Sequence, residues 1–283
     1  MIRVKIHCGW RDDQKSIREH FNKFAKSPYT WNDIYLVPPE NEDYDYIVIL
    51  NYPRVWLEYD KKKAIIFQLE PDIRRKKWGQ FYLPSNDEFF RAFVIDPDRC
   101  VPGWNVRKTY NELMVEKIEK TKGFSAVVSG LTILEGHKDR LDFCLNYLSK
   151  IDCYDHYGRK CPDFRSYRGP IGDKKDALFP YKYTFAAENT YEDGYFTGKI
   201  TDSIVSECLC FYSGCPNLSK YFDPRSFIQL DLSDKEKSLK IVKEAIENNE
   251  YEKRLPYILK QKKVFLNKMQ PLPLIESIIK EGR

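Results

Sequence analysis

Two short apolar runs, Tyr46-Ile-Val-Ile-Leu50 and Ala64-Ile-Ile-Phe67, constrain this chain more than any other feature. Neither alternates polar with apolar residues, so neither suits a strand with one wet face; such runs belong to strands covered on both sides, as at the centre of a parallel sheet. Parallel neighbours require crossovers, and the polar segments between the runs are long enough to supply them. Strands are therefore expected at 3–8, 44–50, 64–69 and 91–95, with a covering helix at 14–26.

A stretch rich in turns and charges, 96–104, leads to a helical segment at 108–120, and the pattern then restarts. A strand at 124–130 precedes a helix at 138–148, whose Leu141, Leu145 and Leu148 share one face. A strand at 183–187 is followed by a helix at 199–208, with Ile200, Ile204 and Cys208 on one stripe. After a strand at 227–230, Ser233 reads as a helix cap with Glu236 three residues on, and Leu239, Val242 and Ile246 form the apolar face. The tail from Tyr251 reads as helical, interrupted near Pro271 and Pro273. The expected fold class is α/β, with two successive domains of alternating strand and helix facing a central cleft: 1–115, 116–255, and a helical tail, 256–283, packing back on the first.

The 283 residues, 42% apolar, are enough to bury real cores, and a net charge of +5 implies no nucleic-acid partner. No run of 18 apolar residues suggests a transmembrane segment, and the alternating start, Met1 to Cys8, lacks the apolar core of a signal peptide. The expectation is a cytoplasmic or otherwise soluble chain, although a lumenal catalytic domain would read the same way. Cys153, His156 and Cys161 match no strong zinc signature, so structural roles are expected for them and no metal site is assigned. There is no Walker loop and no glycine-rich dinucleotide fingerprint, which argues against kinases, nucleotide hydrolases and nicotinamide dehydrogenases.

The most specific pattern is Tyr181-Lys-Tyr-Thr-Phe-Ala-Ala-Glu-Asn189 followed by Gly194-Tyr-Phe-Thr-Gly-Lys-Ile200. Together with Cys208-Leu-Cys-Phe-Tyr-Ser-Gly-Cys-Pro-Asn217 and Asp223-Pro-Arg-Ser-Phe-Ile228, it resembles the donor-binding region of the α-1,3/1,4-fucosyltransferase family. Val127-Val-Ser-Gly130, Arg140 through Phe143, and Tyr157-Gly-Arg159 with Cys161 look like the family's lead-in, so the resemblance covers 124–232. It implies a GT-B architecture of two Rossmann-like domains with the donor held mainly by the second, an inverting transfer, and GDP-fucose as the nucleotide-sugar donor, with an oligosaccharide or glycoprotein as acceptor. No tightly bound cofactor is implied, and a divalent cation is compatible with the chemistry without being required by it.

Sugar transfer from a nucleotide places negative charge on the departing diphosphate and needs a base at the acceptor hydroxyl. Lys199 matches the family's diphosphate-binding lysine, and Arg140 matches an arginine suited to bidentate phosphate contact. Glu188 and Asn189 end a strand, where ligands gather in open α/β sheets. Lys182, Tyr195 and Thr197 complete the expected donor-binding set, each with a plain alternative: a solvated lysine, a packing aromatic and a helix cap. Glu70, ending the run from Ala64, looks like the glutamate that acts as base in related enzymes; a turn residue is its alternative. Gly198 departs from the pattern, because the family carries glutamate there and glycine offers no acceptor oxygens. The resemblance thus supports the reaction class more than the sugar. A different nucleotide-sugar donor and a non-catalytic glycan-binding protein are the competing readings.

Overall fold

The computed structural model describes residues 1–73, 83–98 and 102–282. The chain divides into two compact units, the first comprising Met1–Val101, Lys108–Met114 and Asn267–Arg283, and the second Pro102–Arg107 and Val115–Leu266.

Unit 1 carries a six-stranded sheet of β1 (Ile2–Cys8), β2 (Thr30–Trp31), β3 (Ile34–Leu36), β4 (Tyr46–Leu50), β5 (Ala64–Gln68) and β6 (Arg91–Val94), in the order β2-β3-β1-β4-β5-β6. Only the β2–β3 pair among these is antiparallel. Every residue of β5 and the centre of β4 are buried, as their unbroken apolar runs require. The helix after β1, Gln14–Asn22, is shorter than expected; Asp13 caps it by accepting from the Ser16 amide, and it buries Ile17 and Phe21. The helix Pro271–Glu281 also belongs to this unit. Its Glu276 accepts from Trp31 Nε1 at 3.2 Å and Asn32 Nδ2 at 2.8 Å, while Gln270 Nε2 donates to the Phe24 carbonyl.

Unit 2 carries five parallel strands, β7 (Lys122–Val127), β8 (Tyr154–Tyr157), β9 (Tyr181–Ala187), β10 (Leu209–Ser213) and β11 (Phe227–Gln229), in the order β11-β10-β9-β7-β8. Phe124, Phe143, Phe185, Phe211 and Val242 are among the residues that build its core. Counting parallel strands in chain order, each sheet reads 2-1-3-4-5. In this topology the crossovers leave in opposite directions from one point, opening a crevice at the carboxyl ends of strands 1 and 3. Those points fall between β1 and β4 in unit 1 and between β7 and β9 in unit 2.

Several local expectations need correction. Pro271 does not interrupt a helix but starts one: it occupies the first turn, where its missing N–H costs nothing, and Gln270 caps by accepting from the Leu272 amide. Asp234, not Ser233, caps Lys235–Glu247, its carboxylate accepting from the Lys237 amide at 3.0 Å. The helix expected at 108–120 spans only Tyr110–Val115, and that at 138–148 begins at Glu135 and opens into a π turn at Phe143–Tyr147. Among the described residues no helix is long and apolar enough to cross a membrane.

Candidate functional site at the switch point of unit 2

The carboxyl end of β9 delivers Glu188 into the crevice beside β7. Its residue is 0% exposed, and a buried carboxylate must be paired or lose its charge. Glu188 Oε1 accepts from the Thr197 amide and hydroxyl, both at 2.9 Å, and Oε2 accepts from the Thr197 hydroxyl at 3.0 Å and Lys199 Nζ at 2.5 Å. Lys199 Nζ also reaches the Thr197 hydroxyl at 2.9 Å. Thr197 is the N-cap of the helix Gly198–Val205, so its hydroxyl joins the helix start to the ion pair.

Lys199 is the one residue of that helix not buried, its side chain 28% exposed. Burial lowers its pKa, opposed by the attraction of Glu188. Arg140, on Glu135–Asp142, is buried and donates from Nη1 to the Ala187 carbonyl at 3.2 Å, while among the described residues its Nε has no partner. Burial lowers its pKa too, again opposed by Glu188. The result is Lys199 and Arg140, the latter with a spare donor among the described residues, beside a helix N-terminus and the buried carboxylate of Glu188. A recess lined in part by Val127, Val128, Lys174, Ala187, Lys199 and Asp202 lies at the same edge.

Of the residues singled out from the sequence, Glu188, Thr197 and Lys199 form one hydrogen-bonded cluster, and Arg140 joins it through the end of β9. Asn189 is adjacent in sequence, but its carboxamide oxygen accepts from the Tyr195 hydroxyl at 3.1 Å, so these two make a pair of their own. Lys182 stands apart. It lies near the opposite end of β9, about 20 Å along the strand from Glu188 by the ordinary rise per residue, and forms an ion pair with Glu252 at 2.5 Å. Glu70 follows β5 in unit 1, buried, its amide donating to Gln68 Oε1. Both carboxylate oxygens of Glu188 are engaged by Thr197 and Lys199, so the carboxylate also positions those two side chains.

Residues not singled out from the sequence also shape the site. Asp202, its side chain 2% exposed, accepts from the Asn105 and Val106 amides, from Asn105 Nδ2 at 3.3 Å and from Lys174 Nζ at 2.7 Å. It thereby fixes the segment Pro102–Arg107 against the helix, where the Thr201 hydroxyl also donates to the Gly103 carbonyl. This explains Gly198: a Cβ there would stand 2.1 Å from Asn105 Nδ2. The space that a side chain at 198 would enter is occupied by Asn105. Asp202 carried a sequence signal, since a carboxylate between the apolar Ile200 and Ile204 of a helix needs a partner once that helix is buried; Asn105, almost a hundred residues upstream, carried none.

His156, 0% exposed, is held by the Tyr154 hydroxyl at Nδ1, 2.9 Å, and the Val128 carbonyl at Nε2, 3.0 Å. Among the described residues no group of three His, Cys, Asp or Glu side chains is placed to hold a metal ion.

No family model matches the chain. A stretch of 60 residues, 21% of this chain, is 37% identical to an α-(1,3)-fucosyltransferase, FucT, of Helicobacter pylori, and spans 13% of that relative's length. Among solved structures the chain is similar to an α1,3-fucosyltransferase at TM-score 0.61 and 20% identity, covering 99% of this chain and 90% of the other. The structure of an α1,3-fucosyltransferase with GDP gives 0.58 at 20% identity, covering 99% and 91%. A glycosyltransferase from Rickettsia africae gives 0.55 at 8%, covering 99% and 97%. The likeness is one of fold: two α/β units of the GT-B-like class.

Proposed function

We propose that the chain is a nucleotide-sugar-dependent glycosyltransferase that inverts the sugar carbon, with GDP-fucose as donor and a glycan hydroxyl as acceptor. The observation that carries this reading is the cluster of Arg140, Thr197 and Lys199 around Glu188 at the switch point of unit 2. A diphosphate arriving there would meet the Lys199 ammonium, the spare Arg140 Nε and the start of a helix, all of which favour an anion. The segment 37% identical to a named α-(1,3)-fucosyltransferase and the similarity of fold to others support the choice of donor.

The chemistry is a single displacement. The acceptor oxygen attacks the anomeric carbon, its proton passes to a carboxylate for which Glu70 is the candidate, and the bond to the diphosphate breaks with the electron pair leaving on the phosphate oxygen. Lys199 and Arg140 stabilise that charge without needing to reorganise, because Glu188 already holds Lys199 in place. A second reading, transfer from a different nucleotide sugar, is favoured by one observation: Asn105 stands where the family's glutamate would project.

Calorimetry with GDP tests the proposal. Wild-type protein should bind it, and Lys199→Ala should weaken binding at least tenfold. Unchanged affinity in the variant would remove Lys199 from the phosphate role, and saccharide binding without turnover of any nucleotide sugar would make the chain a glycan-binding protein.

A further inference from the structure

Gly198 opens the helix Gly198–Val205, and the space beside it is taken by a residue far away in sequence: a Cβ there would stand 2.1 Å from Asn105 Nδ2 and 3.4 Å from the Gly103 carbonyl. The segment carrying Asn105 is fastened to unit 2 at every residue from Gly103 to Arg107. The Gly103 carbonyl accepts from the Thr201 hydroxyl at 2.9 Å, and the Trp104 ring meets Phe265 edge-on with centroids 6.2 Å apart. The Asn105 and Val106 amides donate to Asp202, and the Arg107 amide donates to Asp173 at 3.1 Å. Trp104 and Val106 are buried, whereas Asn105 between them is exposed. Backbone bonds and two apolar anchors therefore hold the segment, and they present one carboxamide at the start of the helix that carries Lys199.

The orientation of that carboxamide follows from its neighbour. Asp202 Oδ2 accepts from Lys174 Nζ at 2.7 Å and from Asn105 Nδ2 at 3.3 Å. The ammonium already answers the carboxylate charge, so the longer contact adds little to Asp202. What it fixes is the amide itself: the NH2 must face the carboxylate, and Oδ1 is turned away from it. Among the described residues Oδ1 accepts from no protein group. A held, neutral acceptor thus stands against the residue that lies between Thr197 and Lys199.

We propose that Asn105 is a specificity-determining residue, its Oδ1 accepting a hydrogen bond from a hydroxyl of the bound nucleotide sugar beside the diphosphate. The assignment rests on the glycosyl-transfer reading above, with the diphosphate at Lys199. An ionised phosphate has no proton to give a carbonyl oxygen, so the diphosphate itself is not the partner. The groups attached to it are the ribose on one side and the transferred sugar on the other. Both carry hydroxyl donors, and the nucleobase lies one ribose further off. A site that hydrogen-bonds a hydroxyl discriminates against the ligand lacking it, because its polar atom is then left unanswered.

Calorimetry on the full chain with GDP, 2′,3′-dideoxy-GDP and GDP-fucose tests it, comparing wild type with Asn105→Ala. If the ribose is the partner, wild type should prefer GDP to the dideoxy nucleotide by about three- to tenfold, and the alanine variant should lose that preference by weakening GDP and GDP-fucose alone. If the transferred sugar is the partner, the variant should bind GDP as wild type does and weaken GDP-fucose by a similar factor. Wild-type affinity of the variant for all three ligands would overturn the proposal. So would an equal loss for all three, the mark of a disturbed segment rather than a missing hydroxyl contact. In both cases GDP binding that depends on Lys199 leaves the transferase reading standing, whereas a wild-type chain that binds none of the three refutes that reading and this assignment with it.

Discussion

Asp202 offers the sharpest test of how the donor-side architecture is held. Its buried carboxylate receives two backbone amides, a carboxamide and the Lys174 ammonium. Asp202→Asn keeps an oxygen for the two amides but turns an NH2 toward Asn105 Nδ2 and Lys174. Lys174, with its side chain 32% exposed, can swing into water. The loss should be one charge-assisted bond, about 1.5–3 kcal/mol. Asp202→Ala removes every acceptor and strands two amides, one of them on buried Val106, beside a cation that has lost its partner; about 3–5 kcal/mol is expected. Urea denaturation measures both, and in a thermal scan each kcal/mol should appear as roughly 2–4 °C. Hydrogen exchange of the Asn105 and Val106 amides gives the local readout and should accelerate in the alanine variant well before global unfolding. Equal losses for the two variants, or less than about 1 kcal/mol for alanine, would refute the claim that this carboxylate anchors 102–107.

Burial pushes His156 and His7 from 6.5 to about 4, so between those values the unfolded chain takes up protons that the folded chain refuses. Stability should therefore fall as pH drops from about 6.5 toward 4 and level off below, by up to about 3 kcal/mol per histidine; urea midpoints across this window should show it, and His156→Gln should reduce the slope by about one proton. Lys199 has its pKa lowered by burial, so GDP affinity should decline on alkalinisation before an ordinary lysine would deprotonate. The same shift raises stability over that range, because the unfolded state holds the extra proton, so binding and stability should move in opposite directions; parallel changes would argue against Lys199 as the phosphate group. Gly198→Glu should displace Asn105 from Asp202 and destabilise by about 1–2 kcal/mol, whereas adding Asn105→Gly should recover much of it; a double-mutant cycle without coupling would contradict the packing described.

The fold was legible where burial and sequence pattern coincide. The runs at Tyr46 and Ala64 are apolar throughout because both faces of β4 and β5 are covered, and no other local conformation uses such runs as well. β8 escaped for the opposite reason. Tyr154-Asp-His-Tyr157 reads as polar, and it is the Tyr154 hydroxyl and the Val128 carbonyl, answering the two ring nitrogens, that make His156 suitable for a core. The motif around Glu188 located the cluster but not its internal logic. That a carboxylate would be sealed by Thr197 and Lys199 depends on the turn between β9 and the next helix, which residue spacing does not encode. Lys182 was drawn into the set by proximity in sequence, and the strand then carried it to the far end. Asn105 depends on a chain crossing about ninety residues before the helix it meets, beyond the reach of any local pattern.

The pairing of Trp31 and Asn32 with Glu276 has a consequence for the order in which the molecule can be made. These contacts span 245 and 244 residues, so on a ribosome the sheet of unit 1 emerges early yet must wait, with its indole N–H and Asn32 unanswered, until that length of chain has followed it. Unit 2 has all of its segments sooner, since Leu266 precedes the last helix. The half of the chain translated first is therefore the half completed last, and in that interval its exposed edge is a natural client for chaperones.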